Sequence, residues 1–261
     1  MPWNPEIYNQ FKEIRYQPFF DLMNLISEKG LRNCIDIGCG TGEQTKILSE
    51  KIKDAHFLGI DSSEEMLSQS RKYINDKLHF KFSTIEEFAA SESKWDLIFS
   101  NAALQWSDDH KELLPKLISK LNPGGQFAVQ MPFQKENILN KILIEMVQEY
   151  PFVNYLEGFI RRSPLLQIDD YAKIMFEEGL NDITIFLKVY PIIAESEHSL
   201  YNFISGSSLI PYMERLDTEK QELFKLEYTK RIISKFEKFP AIYSFKRILL
   251  YGTKTTSDNS H

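Results

Sequence analysis

The chain has 261 residues, of which 43% are hydrophobic and 26% charged, a composition that favours a folded globular protein over a disordered one. Its formal net charge is -6 and its basic residues are scattered, whereas a nucleic-acid partner needs a clustered basic face, so we expect no nucleic-acid partner. Its apolar runs fall short of the roughly 18 residues of a membrane span, and no basic segment leads into an apolar one near the start. We therefore expect a cytoplasmic protein with no membrane partner.

Residues 1–30 are predicted to form a lid and a helix. Tyr8, Phe11 and Arg15 lie at helical spacing and can share one face of a short helix. This segment either packs against the sheet or brings aromatic side chains and one guanidinium over a binding crevice. An amphipathic helix is predicted over 18–29, ending near Gly30.

Residues 33–42 predict a buried strand, 33–37, that runs into a tight turn with glycine at every second position. A helix is expected over 43–51, and a strand, a glycine loop and a helix N-terminus together form a nucleotide-cofactor crevice of the doubly wound kind. The G-x-G-x-G spacing differs from both the dinucleotide fingerprint and the P-loop. The alternative is a glycine-rich turn without a ligand. Cys34 and Cys39 flank this turn, and we expect both to be free thiols.

Asp61 is the candidate ribose ligand. It follows the predicted strand 56–60, about twenty residues after the glycines, where an acidic side chain binds a ribose diol in such crevices. Its two carboxylate oxygens can accept from two adjacent hydroxyls. The structural alternative is helix capping, in which Ser62 or Ser63 is the N-cap and Glu65 completes a capping box.

Three further strands are predicted over 78–82, 95–100 and 126–131, separated by helical segments, which requires right-handed crossovers and a parallel sheet. The strand 95–100 ends in polar residues and then presents Trp106 and His110 to the same edge of the crevice. His110 could equally be a helix-start residue without a functional contact. Residues 121–125 predict a turn.

Beyond residue 132 the pattern changes to helices over 136–150, 169–178 and 195–238, with strands over 183–190 and 248–254. Arg161 and Arg162 lie in a connection between helices. The predicted domains are an N-terminal lid and helix (1–30), a cofactor-binding core (31–132) and a helical cap in two parts (133–182 and 195–240). Two final strands (183–192 and 241–254) and a frayed tail (255–261) complete the prediction.

The glycine loop resembles the first motif of class I S-adenosylmethionine-dependent methyltransferases. Further segments resemble the trans-aconitate 2-methyltransferase family: the Trp-Asn-Pro start with Tyr8 and Arg15, and residues 36–42, 59–63, 96–106 and 121–132. The resemblance is dense over 3–132 and looser over 204–213. In that late segment the family carries an arginine before the proline, where this chain has Ile210.

The resemblance implies a Rossmann-like α/β fold with a seven-stranded, mostly parallel sheet, an antiparallel last strand and a helical cap. It implies S-adenosylmethionine as cofactor and S-adenosylhomocysteine as product. Asp36 would orient the glycine loop through backbone amides, Thr84, Ile85 and Met66 would flank the adenine, and Asn101 would contact the methionine end. The full set of expected cofactor-binding residues is Asp36, Gly38, Cys39, Gly40, Gly42, Asp61, Ser62, Met66, Thr84, Ile85, Asn101 and Ala102.

The reaction implied by the resemblance is methyl transfer to a carboxylate oxygen of a small anionic acceptor. A carboxylate is ionised at neutral pH, so no general base and no metal are expected, and placement supplies the catalysis. The acceptor would be lined by Trp3, Tyr8, Arg15, Trp106, His110 and Gln130. Arg15 is the first candidate to hold the anion and Arg161 and Arg162 are the second, although solvated charge is an equal alternative for that pair.

Three hypotheses remain open at this stage. The first is a methyltransferase for trans-aconitate or a related polycarboxylate, and the second is one for another acceptor, such as a malonyl thioester on a carrier protein. The third is a cofactor-binding protein without transferase activity. We expect a monomer or a weak homodimer.

Overall fold

A computed structural model describes residues 12–256, with side chains described from Tyr16 onward. The predictions for Trp3, Tyr8, Phe11, the side chain of Arg15 and the tail after residue 256 lie outside the described residues. No helix within the described range is long and apolar enough to cross a membrane.

All seven predicted strands are present: β1 Asn33–Ile37, β2 His56–Asp61, β3 Leu78–Phe82, β4 Trp95–Asn101, β5 Leu121–Pro132, β6 Leu180–Ala194 and β7 Ala241–Lys254. They form one sheet in the order β3-β2-β1-β4-β5-β7-β6. The first five strands pair in parallel, and β7 enters antiparallel to β5. This confirms the predicted doubly wound Rossmann-like α/β fold with an antiparallel last strand.

The helices of the described range are α1 Lys12–Met23, α2 Glu43–Lys51, α3 Glu64–Ser70, α4 Ile85–Ala90, α5 His110–Ile118, α6 Ile138–Val147, α7 Phe152–Tyr155, α8 Ile168–Glu177, α9 Glu197–Ser205, α10 Ile210–Met213 and α11 Thr218–Phe236. Short 3-10 turns cover Arg71–Tyr73, Leu104–Trp106 and Gln134–Glu136. In β1, every residue from Cys34 to Ile37 is buried, as expected of a central parallel strand with both faces covered.

Helix α1 differs from the predicted span of 18–29, because it begins at Lys12 and ends at Met23. Beyond it the Leu25 and Ile26 amides still donate to the carbonyls three residues earlier, and tertiary hydrogen bonds take over at Ser27. The buried Gln126 side chain accepts from the amide of Ser27 and donates to its carbonyl, both at 2.8 Å. This pair fixes the segment between α1 and β1 on the sheet.

Strand β5 begins earlier than predicted, since it includes the expected turn 121–125. Trp95 is paired with Leu121, whereas Leu97 is paired with Gln126, so the intervening residues of β5 bulge out of the ladder. Gly124 takes up the left-handed conformation within this bulge, with a φ of 77°. Strand β6 is also longer than predicted, and β7 fills the predicted final-strand segment 241–254, beyond its apolar stretch 248–254.

The chain divides into two compact units. Of the described residues, the core unit holds 17–132, 164–188 and 247–256, and the helical unit holds 12–16, 133–163 and 189–246. The structure differs from the expected domain borders at α8, which lies in the core unit rather than in the cap. The reason is a buried contact in which the Tyr171 hydroxyl of α8 meets the imidazole of His110 on α5 at 2.6 Å.

The helical unit has its own aromatic core. Phe224 stacks between Tyr212 and Tyr228, and Phe152 packs edge-on against Phe224. The Tyr228 hydroxyl is buried and donates to the Leu139 carbonyl at 2.8 Å, which joins α11 to α6.

We expect Tyr228→Phe to lower the free energy of unfolding by about 1–2 kcal/mol, because the buried Leu139 carbonyl loses a donor. Urea denaturation measures the change. The control is Tyr150→Phe, which removes a hydroxyl from a side chain that is 81% exposed. Equal stability of the two variants would contradict a structural role for this bond.

Candidate active site

The carboxyl ends of β1 and β4 lie side by side at the point where the strand order reverses. From β1 the chain proceeds outward through β2 and β3, and it returns to the other side of β1 with β4 and β5. In open α/β sheets a ligand crevice forms at this switch point. The predicted cofactor residues from Asp36 to Ala102 all belong to the core unit that surrounds it.

The glycine loop after β1 is held by main-chain hydrogen bonds. The amides of Gly38 and Cys39 both donate to the Ile60 carbonyl, at 2.8 and 2.9 Å. Gly38 has a φ of 75°, and a Cβ added to it would lie 2.1 Å from the Cβ of Ala103. A Cβ on Gly40, in contrast, would meet no described atom within 4 Å. The loop is therefore closely packed at Gly38 and open at Gly40, where a ligand can approach the backbone.

Asp61 fixes the open part of this loop. One carboxylate oxygen accepts from the Gly40 amide at 2.8 Å, and the other accepts from the Ser63 amide at 2.9 Å. Each oxygen retains acceptor capacity, since a carboxylate offers about four lone-pair sites. Asp61 is half-buried, so these sites are accessible beside the loop.

Asp36 is buried at the end of β1 and accepts a hydrogen bond from the Thr45 hydroxyl at 2.6 Å. The partner is thus a side chain of α2, where the sequence led us to expect backbone amides. Burial raises the pKa of Asp36 to about 7, the Thr45 bond opposes this and the nearby charge of Asp61 adds to it. Asp36 therefore tethers α2 to β1.

Both cysteines are free and buried. Burial raises the pKa of Cys34 and of Cys39, and the neighbouring carboxylates add to the effect. A nucleophilic cysteine needs a lowered pKa, so both thiols act as small apolar core groups.

The side of the crevice formed by β2 and β3 is built around helix caps. Ser63, rather than Ser62, is the N-cap of α3 and accepts from the Met66 amide at 3.3 Å. Thr84 caps α4 in a capping box with Glu87. The Thr84 hydroxyl accepts from the Glu87 amide at 3.1 Å, so one of its acceptor sites is already used. Met66, Thr84 and Ile85 are partly exposed and Ser62 is exposed, which leaves their predicted contacts with the cofactor open.

The turn after β4 is strained and polar. Ala102 has a φ of 58°, which a non-glycine residue rarely adopts, and its carbonyl accepts from the Gln105 side chain at 2.6 Å. Asn101 donates through Nδ2 to the Gln44 side chain at 2.9 Å. Its Oδ1 is buried and has no hydrogen-bond partner among residues 12–256. Asn101 therefore presents a buried acceptor at the switch point.

His110 is fully buried, and both ring nitrogens are engaged. Nδ1 lies 2.6 Å from the Tyr171 hydroxyl, and Nε2 lies 2.9 Å from the Leu104 carbonyl. A carbonyl can only accept, so Nε2 carries the proton and Nδ1 accepts from Tyr171. Burial lowers the pKa of His110 and keeps the ring neutral. These contacts support its structural alternative, whereas Trp106 is 44% exposed.

Gln130, predicted on the acceptor side, lies on β5 and is fully buried. Its Oε1 accepts from Nη1 of Arg247 on β7 at 2.5 Å. Sequence reasoning included Arg247 in the final-strand segment 241–254 but did not select it as a site residue, because the apolar stretch of that strand begins only at residue 248. The available signal was the alternation of Tyr243, Phe245 and Arg247, which places all three on one face of a longer strand.

The other two cationic residues predicted to hold the acceptor lie outside the core unit. Arg161 and Arg162 belong to the helical unit, where the Arg161 amide donates to the Tyr212 hydroxyl at 3.0 Å. Ile210 lies in the same unit at the start of α10.

Comparison with known proteins identifies the family. The family described as a methyltransferase domain matches residues 28–179. The chain is 37% identical over 260 residues to a trans-aconitate 2-methyltransferase of Deinococcus radiodurans, covering 97% of this chain and 99% of that protein. The chain belongs to the trans-aconitate 2-methyltransferase family. A relative of the same name from Escherichia coli is 30% identical, covering 97% of this chain and 98% of its own.

Solved structures agree with the fold of this trans-aconitate 2-methyltransferase family member. The YcgJ protein of Bacillus subtilis superimposes with a TM-score of 0.61 at 15% identity, covering 93% of this chain and 100% of that one. At this identity the likeness shows the fold alone.

As a member of this family, the chain is an S-adenosylmethionine-dependent methyltransferase. The crevice fits that cofactor in three respects. The loop is open at Gly40, the carboxylate of Asp61 has acceptor capacity for hydroxyls, and Asn101 offers a buried acceptor suited to an amino group.

We expect the stabilising effect of Asp36→Asn to depend on pH. The carboxyl of Asp36 has a pKa of about 7 in the folded protein, whereas in the unfolded chain it loses its proton near pH 4. Between about pH 4 and pH 7 only the unfolded chain ionises, so folding becomes less favourable as the pH rises. Asparagine cannot ionise and can still accept from Thr45.

The variant should therefore gain roughly 2–4 kcal/mol of unfolding free energy over the wild type at pH 8, and little at pH 4.5. Denaturation at both pH values measures this difference. Asp54→Asn makes the same change on an exposed side chain and is the control. A difference that does not vary with pH would contradict the raised pKa.

Proposed function

We propose that this protein transfers the methyl group of S-adenosylmethionine to a carboxylate of a small polycarboxylic acid such as trans-aconitate, in the cytoplasm. The observation that carries the proposal is the similarity over nearly the whole chain to proteins named trans-aconitate 2-methyltransferase, which extends through the helical unit as well as the cofactor-binding core. The acceptor is therefore a small anion.

The state of the titratable groups near the crevice supports this acceptor class. Asp36 is bound by Thr45, Asp61 by two backbone amides and His110 by a carbonyl and a hydroxyl. None of these three is poised to remove a proton from an acceptor. A carboxylate needs no base, because it is already ionised at neutral pH.

When bound, the cofactor supplies an electrophilic methyl group on a positively charged sulfur. Transfer of that methyl group to a carboxylate would join an anion and a sulfonium cation into a neutral ester and a neutral thioether, so it would balance without a proton. No proton moves, so the contribution of the protein is to place the acceptor oxygen in line and to exclude water, and placement alone can supply roughly 7–11 kcal/mol.

We assign the cofactor contacts as follows. The backbone between Gly38 and Gly42 approaches the methionine portion, the carboxylate of Asp61 accepts from the ribose hydroxyls, and Asn101 accepts from the amino group through Oδ1. Met66, Thr84 and Ile85 border the adenine. The open side of Gly40 and the buried acceptor of Asn101 support this assignment.

The decisive assay is methyl transfer from labelled S-adenosylmethionine to trans-aconitate, cis-aconitate, citrate, isocitrate and a malonyl conjugate of a carrier protein, in parallel. We expect trans-aconitate to be labelled and its product to be an ester that mild base hydrolyses. Labelling of the carrier conjugate alone would show a different acceptor. Tight cofactor binding without any product would show a binding protein that is not a transferase.

Asp61→Asn should weaken the binding of S-adenosylhomocysteine, because it removes the negative charge and one acceptor oxygen. A charge-assisted contact is worth roughly 1.5–3 kcal/mol, so we expect the dissociation constant to rise about 10- to 150-fold in calorimetry. Asp76→Asn changes the charge of an exposed side chain in the same unit and is the control. Unchanged affinity in Asp61→Asn would remove the ribose assignment.

A further inference from the structure

Arg247 places a guanidinium inside the core unit. It lies on β7 opposite Pro132 of β5, and only 7% of the residue is exposed. Its Nη1 donates to Oε1 of Gln130 at 2.5 Å. This bond fixes the orientation of the guanidinium relative to Gln130.

The bond also fixes the orientation of the Gln130 amide. A guanidinium can only donate, so the atom that faces it is the oxygen, and Nε2 points away as a donor. Gln130 is fully buried, and its Nε2 finds no hydrogen-bond partner in the part of the chain that the structure describes. A buried donor without a partner is unfavourable, and a ligand that accepts a hydrogen bond from it would remove that cost.

Gln130 and Arg247 lie beside the cofactor crevice. Gln130 is paired across the ladder with Asn101 of β4, and side chains of directly paired residues share one face of a sheet. The carboxyl ends of β4 and β5 and the adjacent middle of β7 thus present hydrogen-bonding groups of two kinds. Asn101 offers an acceptor for a cationic group, while Gln130 and Arg247 offer donors for an anionic one.

We propose that Arg247, oriented by Gln130, binds a carboxylate of the acceptor other than the one that is methylated. The inference rests on the proposed function and makes Arg247 a specificity-determining residue. A guanidinium binds a carboxylate through two parallel hydrogen bonds, and burial strengthens the attraction. The protein therefore selects acceptors with at least two carboxylates, because one is held by Arg247 while another receives the methyl group.

The test measures binding of trans-aconitate to the complex with S-adenosylhomocysteine, where no transfer can occur. Arg247→Met keeps an unbranched apolar stem and removes the guanidinium with its charge, and Arg247→Lys restores the charge without the two-pronged geometry. Gln130→Met removes the orienting amide at similar volume. Arg32→Met makes the same chemical change on an exposed side chain of the same unit and is the control.

We expect Arg247→Met to raise the dissociation constant of trans-aconitate about 10- to 150-fold, with a smaller rise in Arg247→Lys and in Gln130→Met. The affinity for S-adenosylhomocysteine should stay within about twofold in all variants, and crotonate, which has one carboxylate, should bind weakly to wild type and variants alike. Thermal unfolding confirms that each variant is folded.

The inference is overturned if folded Arg247→Met binds trans-aconitate with unchanged affinity. If Arg247→Met does not fold, unchanged affinity in Gln130→Met has the same meaning. In both cases methyl transfer by the wild type leaves the proposed function standing. Loss of S-adenosylhomocysteine affinity would also overturn it, because Arg247 would then hold the carboxylate of the cofactor. A wild type that binds and methylates no polycarboxylate would overturn the proposed function, and this inference with it.

Discussion

The carboxylate of Asp61 joins the two halves of the cofactor crevice. It receives the amide of Gly40 from the loop after β1 and the amide of Ser63 from the start of α3. The carbonyl of Ile60, one residue earlier, receives two further amides of the same loop. The glycine loop has few side chains of its own to define its shape, so the end of β2 defines it instead. A single strand terminus therefore sets the geometry at which a cofactor meets the backbone.

The remaining polar groups near the switch point divide into two classes. Asp36 and His110 are buried and bonded to Thr45, Tyr171 and Leu104, and they hold helices and turns in place. Gln130 is buried and Asn101 is partly buried, and each keeps one buried amide atom without a partner among the described residues. Because an unmet buried polar atom is unfavourable, the second class is where ligand contacts are expected. This distinction fits a reaction that depends on placement rather than on proton transfer.

Much of the fold could be predicted from local pattern, because β1 and β4 are apolar runs bounded by turn residues and the glycine loop has a distinctive spacing. The end of α1 could not, since it depends on Gln126, 99 residues from Ser27. The role of His110 depended on Tyr171, which lies in a helix that we expected in the cap. Arg247 was missed because the strand that buries it is longer than its apolar stretch. In each case the deciding partner is distant in sequence, where a pattern carries no information.

Strand β7 lies between β5 and β6, so the last of the seven strands in chain order occupies an interior position of the sheet. It contributes Leu249 to the core that also contains Phe99 and Ala128. While the ribosome is still making the helical unit, β5 has only β4 as a neighbour and its other edge is exposed. Such an edge can pair with other chains, and closure over so long a separation is slow. Completion of β7 as far as Lys254 therefore closes this edge of β5.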